Sequence, residues 1–418
     1  MITQILKSAW LLLFITACTF VSAQTQGDST VLQYLQQDWR ARVPLNNHGG
    51  FLEVNQYLQY WNVVTLRSTA PQFSPRFDSF VRRGRLGVSG RLNEHILFAA
   101  GFSYDGIGKD SLTASAGVTN AEDNTTFQLR DVYFLWRKNR IFNVSFGYFR
   151  PRVGKESIYS SSFNVSQEKG FPSYQPRFHL VGRGIGRETG LNIGGILDVG
   201  RSALLYDVGL FDNNHPDIRG AGPAWSPMVT GRLMLMLGDH EMTEYNLVYF
   251  QSGFGLRKGV SIGLNGSYQH LTNRFRNNGM IGADIQINWK QLDLLGEYNL
   301  LYRNNLTPEE TRFKPAQSRF TYDQVYVIKG AWNTLLENKT LLQYCLMYTG
   351  EIADDGETTS AINPFTQART QAQWAAGVNW LVNRDRLKLG LHVVTGTVKA
   401  LAPNERYTYI NPSVQFMM

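Results

Sequence analysis

The chain contains 418 residues, of which 13% are aromatic and 18% are charged, and its formal net charge is +8. Disordered chains combine few aromatic residues with high charge, so this composition excludes a disordered protein. Beyond residue 25 no uninterrupted apolar run reaches the ~20 residues of a membrane-spanning helix, which leaves a soluble β protein or an outer-membrane β-barrel.

The first 23 residues are predicted to form a cleaved secretory signal peptide. Lys7 supplies a positive charge, residues 9–21 form an apolar segment, and small residues precede a cleavage site after Ala23. The segment that ends at Cys18 also resembles a lipoprotein box, and both alternatives export the protein. If Cys18 is removed with the signal, Cys345 is the one cysteine that remains, so no internal disulfide can form.

Residues 24–50 are predicted to form an N-terminal periplasmic arm, followed by a barrel of residues 51–418. The arm is polar, with a weakly amphipathic spacing of apolar residues between Val31 and Trp39. A short periplasmic helix and a flexible segment are both compatible with this pattern.

From Phe51 onward, apolar and polar residues alternate with a period of two, which indicates β-strands with two different faces. In residues 258–270, for example, Ile262 and Leu264 share one face and Ser261 and Asn265 share the other. Strands of soluble sheets average ~5–6 residues, whereas a tilted strand needs ~9–11 to cross a bilayer. Because many of these segments reach ten residues or more, they favour a transmembrane barrel.

Seventeen segments qualify as candidate strands, and the order of their connections removes one. Membrane barrels alternate short periplasmic turns with long outer loops, and bacterial single-chain barrels have an even number of strands. Keeping 241–251 as a strand would place the long connection 304–317 on the periplasmic side. Treating 241–251 as part of a longer turn predicts an all-β, antiparallel transmembrane barrel of about 16 strands.

Two finer expectations concern the faces of the strands. Strict alternation places Phe80 and Leu86 on one face of 77–92, opposite Arg83 and Arg85. Aromatic residues near strand ends are predicted to form the interfacial girdles of a membrane barrel. These residues are Tyr57, Trp61, Trp136, Tyr148, Trp289, Tyr302, Trp332 and Trp380.

The third outer loop, residues 151–185, is the longest of the first three, and by analogy with general porins it is expected to fold inward and narrow the lumen. Between Arg150 and Arg187 the chain carries seven basic residues against two acidic ones. A confined passage focuses such a field and concentrates anions, and guanidinium groups donate paired hydrogen bonds to phosphate. The predicted pore-lining, anion-binding residues are Arg83, Arg85, Arg150, Arg152, Lys155, Arg177, Arg183 and Arg187.

An alternative remains open for these cations, because charged outer loops also bind the phosphates of lipopolysaccharide or simply water. Acidic residues predicted on the lumen wall weaken the case for a pore lined only by positive charges. They are Asp207, Asp284, Asp293, Glu297 and Asp323.

No spacing of residues indicates an enzyme, a bound cofactor or a resident metal. The acidic runs that begin at Asp212 and Asp354 are compatible with Ca²⁺ in outer loops, and solvated turns are the alternative. Residues 182–186 resemble a nucleotide-binding loop but lack its spacing and its following helix, so a close approach of backbones is the preferred interpretation.

Three motifs resemble the phosphate-selective porin O and P family. They are Arg-Arg-Gly-Arg-Leu-Gly-Val-Ser-Gly-Arg-Leu at 82–92, Gly-Tyr-Phe-Arg-Pro-Arg-Val-Gly at 147–154 and Gly-Arg-Glu-Thr-Gly at 186–190. The resemblance implies a sixteen-stranded, homotrimeric channel for anions such as phosphate or polyphosphate.

Together these features predict an outer-membrane porin for the passive diffusion of small hydrophilic solutes, with a preference for anions or phosphate. Its expected partners are outer-membrane lipid, lipopolysaccharide and small anions, and no nucleic acid. The alternative is a structural or assembly barrel of an outer-membrane complex that does not conduct.

Overall fold

The structure is a computed structural model that describes residues 41–45, 49–67, 75–109, 127–213, 225–272, 275–305, 320–353, 369–384, 386–399 and 405–418. The predicted signal peptide, most of the predicted arm and the acidic run at Asp354 lie outside these residues. The strands are β1 (Ala41–Pro44), β2 (Phe51–Arg67), β3 (Arg76–Arg91), β4 (Ile96–Ser103), β5 (Gln128–Arg137), β6 (Asn143–Phe149), β7 (Glu188–Val199), β8 (Ser202–Asp212), β9 (Met228–Gly238), β10 (Lys258–Gln269), β11 (Phe275–Trp289), β12 (Leu292–Asn305), β13 (Phe320–Leu335), β14 (Leu341–Ile352), β15 (Arg369–Asn383), β16 (Leu387–Lys399) and β17 (Glu405–Met417).

Strands β2–β17 form a closed antiparallel barrel. Each strand pairs with the next one in the chain, and β17 pairs with β2 to close the ring. Residues 241–251, which the structure describes, form no strand, because β9 and β10 pair directly with Gly238 opposite Gly259. The prediction of sixteen antiparallel barrel strands is therefore confirmed.

The two faces of the strands have the polarity expected of a barrel in a membrane. On β10, Ile262 and Leu264 are 43% and 61% exposed, whereas Ser261 and Asn265 are 0% and 6% exposed. Apolar side chains thus cover the outside and polar side chains fill the inside, which inverts the arrangement of a soluble protein.

The face predicted for Phe80 is wrong. A register shift between β2 and β3 leaves Arg82 as an extra residue in β3, and an extra residue exchanges the two faces of the strand beyond it. Phe80 therefore points inward and is 2% exposed, whereas Leu86 points outward and is 56% exposed.

The girdle prediction is also wrong for Tyr57 and Trp61. Both lie on the inward face of β2 and are 7% and 0% exposed, and the Trp61 ring packs against Phe80 inside the barrel. Trp136 and Trp289 are 41% and 54% exposed on the outside, as predicted.

The short strand β1 extends the sheet at the seam between β17 and β2. It pairs with β2 from Ala41 opposite Val54 to Pro44 opposite Phe51, just beyond the point where β17 ends opposite Tyr57. Without β1, this end of β2 would present unpaired backbone groups on that side.

Residues 150–187, which we call the lumen loop, lie inside the barrel. The loop contains α1 (Lys155–Ile158), 3-10 turns at Ser161–Phe163 and Phe171–Tyr174, and α2 (Gln175–Val181). Its backbone is bound by side chains of distant strands: Gln415 of β17 donates to the Ser162 carbonyl at 3.0 Å, and the Phe171 N–H donates to Gln373 of β15 at 3.0 Å. The loop therefore crosses the lumen.

Residues 239–257, which we call the connector, join β9 to β10 at the end of the barrel that carries the short turns. Met242, Tyr245, Leu247 and Tyr249 of this segment are each at most 7% exposed.

In the described part of the chain, no helix has the length and apolarity needed to cross a membrane.

Candidate pore constriction

Glu168 anchors the lumen loop to strand β3. Its carboxylate accepts hydrogen bonds from Arg82 at 3.0 Å and from Arg83 at 2.5 and 2.7 Å, and the Tyr174 hydroxyl donates to it at 3.2 Å. The three charged side chains are at most 4% exposed. Two guanidinium groups thus bind one buried carboxylate at this anchor. The predicted residue Arg83 thus lies where the loop meets the wall.

Arg85, two residues further along β3, lies beside the same loop. It donates to Asp105 at 2.9 Å and to the Ser161 hydroxyl at 3.2 Å, and its side chain is 14% exposed. Asp105 also accepts a hydrogen bond from Arg130 of β5 at 2.6 Å. This group again contains two cations for one carboxylate.

Arg150 and Arg177 stabilise the fold of the lumen loop itself. Arg150 donates to the carbonyl oxygens of Tyr159 at 3.1 Å and Ile185 at 3.3 Å, and Arg177 donates to that of Gly184 at 3.0 Å. Carbonyl oxygens satisfy guanidinium donors without cancelling their charge.

The glycine-rich segment 182–186 makes room for Arg177. Gly186 adopts φ +64°, and a Cβ there would lie 2.6 Å from Cδ of Arg177. Glycine is the one residue type that fits both the backbone and the contact. The close approach at Gly186 is to a side chain, and not to another backbone as predicted.

Arg152 and Lys155 join the lumen loop to the connector. Arg152 donates to the Leu247 carbonyl at 2.8 Å, and its guanidinium carbon lies 4.6 Å from the centre of the Tyr249 ring. Lys155 donates to Glu241 at 2.5 Å, and both side chains are at most 3% exposed.

Arg183 and Arg187 lie where the lumen loop returns to the wall at β7. Arg187 donates to both carboxylate oxygens of Asp131, at 2.9 and 2.6 Å. Arg183 lies 3.6 Å from Glu188, and 38% of its side chain is exposed, against 6% for Arg187.

Burial changes the ionisation of several groups in the two inserted segments. It lowers the pKa of Lys155, an effect that the neighbouring carboxylate of Glu241 opposes, and it lowers the pKa of Lys169 well below its usual value. It also raises the pKa of Tyr249 to about 12. Charge on the lysines is therefore costly wherever no acidic partner compensates it.

The sequence did not predict the ion pairs that hold the loop and the wall. Lys329 of β13 donates to Glu156 at 2.6 Å, and Arg232 of β9 pairs with Asp284 of β11 through bonds of 2.6 and 2.9 Å. The sequence does predict Asp284 as an acidic residue on the lumen wall, and this was the available indication of a buried ion pair. Its partner lies 52 residues away in the chain, and no local pattern identifies such a pair.

Four small inward residues lie on β3 and β4, within the wall formed by β2–β4. Ser89 lies opposite Ala99, and Gly87 lies opposite Gly101, so these positions place little side-chain volume in the lumen. All four residues are half-buried, whereas the inward residues of β8–β14 are almost all buried. The wall is therefore more accessible to solvent beside these four residues of β3 and β4 than along β8–β14.

No group of three or more His, Cys, Asp or Glu residues with the geometry of a metal site occurs among the described residues. The site consists of cations, carboxylates and backbone carbonyls, and its chemistry is electrostatic.

Comparison with known proteins identifies a family for part of the chain. Residues 56–183 match the family "Phosphate-selective porin O and P". The matched stretch extends from β2 through β6 and most of the lumen loop, and it contains two of the three motifs that resemble this family. The resemblance is thus confirmed over these residues. No curated protein matches the chain in sequence.

Solved structures establish the fold over most of the chain. The outer membrane channel DcaP of Acinetobacter baumannii is 11% identical, with a TM-score of 0.52 over 89% of this chain and 99% of that one. The fold is that of an outer-membrane porin. An anion-selective porin from Comamonas acidovorans gives 11% identity and a TM-score of 0.52, over 88% of this chain and 99% of that one. OmpF of Salmonella typhi, in complex with daunomycin, is 8% identical, with a TM-score of 0.54 over 90% of this chain and 100% of that one.

Proposed function

We propose that this protein is an outer-membrane porin through which small hydrophilic solutes diffuse passively, with a preference for anions such as phosphate. The observation that carries the proposal is a closed barrel with an apolar exterior and a lumen full of charged side chains. The match of residues 56–183 to the phosphate-selective porins supports the anion preference. Passive diffusion requires weak binding at several positions, because a tightly bound solute would not leave.

Two groups of described cations line the passage. The groups around Glu168 and Asp105 each contain two guanidinium groups for one carboxylate. Arg183 and Arg85 have the more accessible side chains among the paired cations of the site, at 38% and 14% exposure. We infer that a permeating anion meets these two residues.

A barrel without conductance is the second candidate, and the packing of the lumen favours it. The inward residues Asp207, Arg232 and Asp284 are at most 4% exposed behind the two inserted segments. In this alternative the wall at β2–β4 would hold water but would not provide a continuous path.

We also propose that the protein forms a homotrimer through β4–β6. These strands have 8, 10 and 7 residues, around or below the ~9–11 that cross a bilayer. Phe98, Phe134 and Phe146 form a row across their outer face: the Phe98 and Phe134 rings are tilted with centres 6.5 Å apart, and the Phe134 and Phe146 rings stack at 5.6 Å. A neighbouring copy would cover this short wall, while lipid and lipopolysaccharide would contact the remaining exterior.

The trimer is tested by the size of the unheated protein on a native gel. Phe146→Ala should release monomers, whereas Leu264→Ala, which truncates an outward residue of β10, should not. Equal migration of both variants as monomers, or as trimers, would remove β4–β6 as the interface.

The transport proposal is tested by the reversal potential in a planar bilayer under a salt gradient, followed by addition of phosphate. An anion-selective current that phosphate blocks is the expected result. Arg183→Ala should lower the anion preference, whereas Arg201→Ala, in the exposed β7–β8 turn, should leave it unchanged. Current without selectivity would discard the anion preference, and insertion without current would favour the second candidate.

A further inference from the structure

We propose that the connector, residues 239–257, is a second permeability-determining element that enters the lumen from the short-turn end and positions the lumen loop. This inference rests on the proposed transport function, since it concerns the same passage. It adds a segment that lies outside the residues matched to the porin family, 56–183.

The connector crosses the lumen and does not simply turn. Near its start, the Tyr245 hydroxyl donates to Asp207 of β8. Further on, the Gln251 carbonyl accepts hydrogen bonds from Gln286 and Asn288 of β11, each at 3.1 Å. Strands further round the ring also bind it: Arg137 of β5 donates to the Tyr245 carbonyl at 2.9 Å, and Gln343 of β14 donates to the Ser252 hydroxyl at 3.2 Å. The segment therefore joins strands on well-separated parts of the ring.

Asp293 of β12 holds the far end of the connector. Its carboxylate accepts hydrogen bonds from the Ser252 hydroxyl at 2.7 Å and the Gly253 N–H at 2.9 Å. The side chain of Asn333 on β13 donates to the same carboxylate at 2.8 Å. A buried carboxylate with this many donors fixes the backbone that it binds.

The connector and the lumen loop meet through charged, polar and aromatic contacts. Besides the pairs of Lys155 with Glu241 and of Arg152 with the Leu247 carbonyl, the Val165 N–H donates to Gln251 at 3.1 Å. The rings of Phe163 and Phe250 pack with centres 4.5 Å apart. Each segment thus restricts the position of the other.

Glu241 also affects the charge of the passage. It compensates Lys155, which is 1% exposed and stands beside the cations Arg152 and Arg232 around the Tyr249 ring. Removing the negative charge of Glu241 leaves Lys155 without this compensation and loosens the junction. Glu241 is therefore a positioning residue for the lumen loop.

The barrel does not need the connector to close. β9 and β10 already pair as far as Gly238 opposite Gly259, and the Asp239 N–H donates to the Lys258 carbonyl at 2.9 Å. At the same end of the barrel, two residues suffice between β7 and β8 and between β11 and β12. The extra residues of the connector therefore serve the lumen and not the wall.

The first test replaces residues 239–258 of the full-length protein by Asn-Gly, which forms a tight two-residue hairpin turn. The variant should insert, migrate as a heat-modifiable barrel and show a severalfold higher single-channel conductance. Wild-type conductance in the inserted variant would overturn the inference. If the wild type does not conduct and the variant does, the inference holds and the proposed passive transport fails. If neither conducts, the inference is overturned together with the transport proposal.

The second test keeps the length of the connector and changes one charge. Glu241→Gln should lower the anion permeability ratio relative to wild type, because a buried Lys155 without its acidic partner tends to lose its proton and no longer holds the lumen loop. Glu244→Gln is the matched control, because 74% of the Glu244 side chain is exposed and its partner Arg137 is 20% exposed. Equal reversal potentials for the wild type and both variants would remove Glu241 as a positioning residue. Reversal potential reports the charge of the passage, whereas a change that only widened the passage would alter the conductance and leave the reversal potential near the wild-type value.

Discussion

Gly170 offers a direct test of whether the lumen loop is held against the barrel wall by close packing. A Cβ at this position would lie 1.7 Å from Cγ2 of Thr349 on β14. The backbone of Gly170, with φ −61° and ψ 145°, is accessible to any residue. Gly170→Ala therefore disturbs the contact and not the backbone.

The expected magnitude follows from the cost of overpacking. Forcing one extra methyl group into a packed site costs typically ~1–3 kcal/mol. At ~1.4 kcal/mol for each factor of ten, the ratio of released to seated loop should rise by ~5-fold to ~150-fold.

Trypsin cleavage after Lys169 measures this ratio, because Lys169 is only 1% exposed in the seated loop. When the loop reseats faster than it is cut, the cleavage rate follows the population of the released form. Gly170→Ala should therefore be cleaved faster by the same factor, in barrels that still migrate as folded on an unheated gel.

Two further variants complete the test. Thr349→Ser removes Cγ2, so the double variant should recover most of the wild-type resistance. Gly231→Ala is the matched control, since a Cβ there meets no heavy atom within 4 Å. Wild-type cleavage of Gly170→Ala, or no recovery with Thr349→Ser, would refute packing against β14 as the constraint.

Two other predictions concern stability. Arg232→Met should destabilise the barrel by ~3–5 kcal/mol, because it leaves the carboxylate of Asp284 buried without its cation, and the double variant with Asp284→Leu should recover much of the loss. The temperature at which the folded barrel unfolds, seen as a change in the mobility of its gel band, measures the loss and the recovery. Equal unfolding temperatures for the single and the double variant would contradict the reasoning. Lys290 has φ +53° in the β11–β12 turn, where a left-handed backbone costs an L-residue ~1–2 kcal/mol. Lys290→Gly should therefore raise the midpoint of urea unfolding and Lys290→Val should lower it; a lower midpoint for the glycine variant would show that the turn is not strained.

The strands could be predicted from the sequence because the membrane imposes a strict pattern on each one. Ile262 and Leu264 alternate with Ser261 and Asn265 over a length that spans a bilayer, and this local signal is sufficient. The prediction was wrong at Phe80, because Arg82 is an extra residue in β3 and exchanges its two faces. A bulge depends on the partner strand, so the sequence of β3 alone does not reveal it.

The candidate site was less predictable, because its partners come from distant parts of the chain. Charge counting identified Lys155 and Arg183 as basic residues of a loop. The carboxylate of Glu241, which binds Lys155, lies 86 residues away in a segment that the sequence showed as a turn. Placing that turn inside the lumen requires the contacts of Tyr245 with Asp207, which only the folded ring brings together.

The seam between β2 and β17 has a consequence for assembly. Fifteen of the sixteen barrel pairings join neighbours in the chain, and the sixteenth joins the last strand to the first strand of the barrel. The lumen loop binds β3 on one side of this seam through Glu168, and on the other side it receives a hydrogen bond from Gln415 of β17. The lumen loop can therefore make its full set of contacts only when β17 is paired with β2. Closure of the ring and filling of its interior then become a single cooperative event.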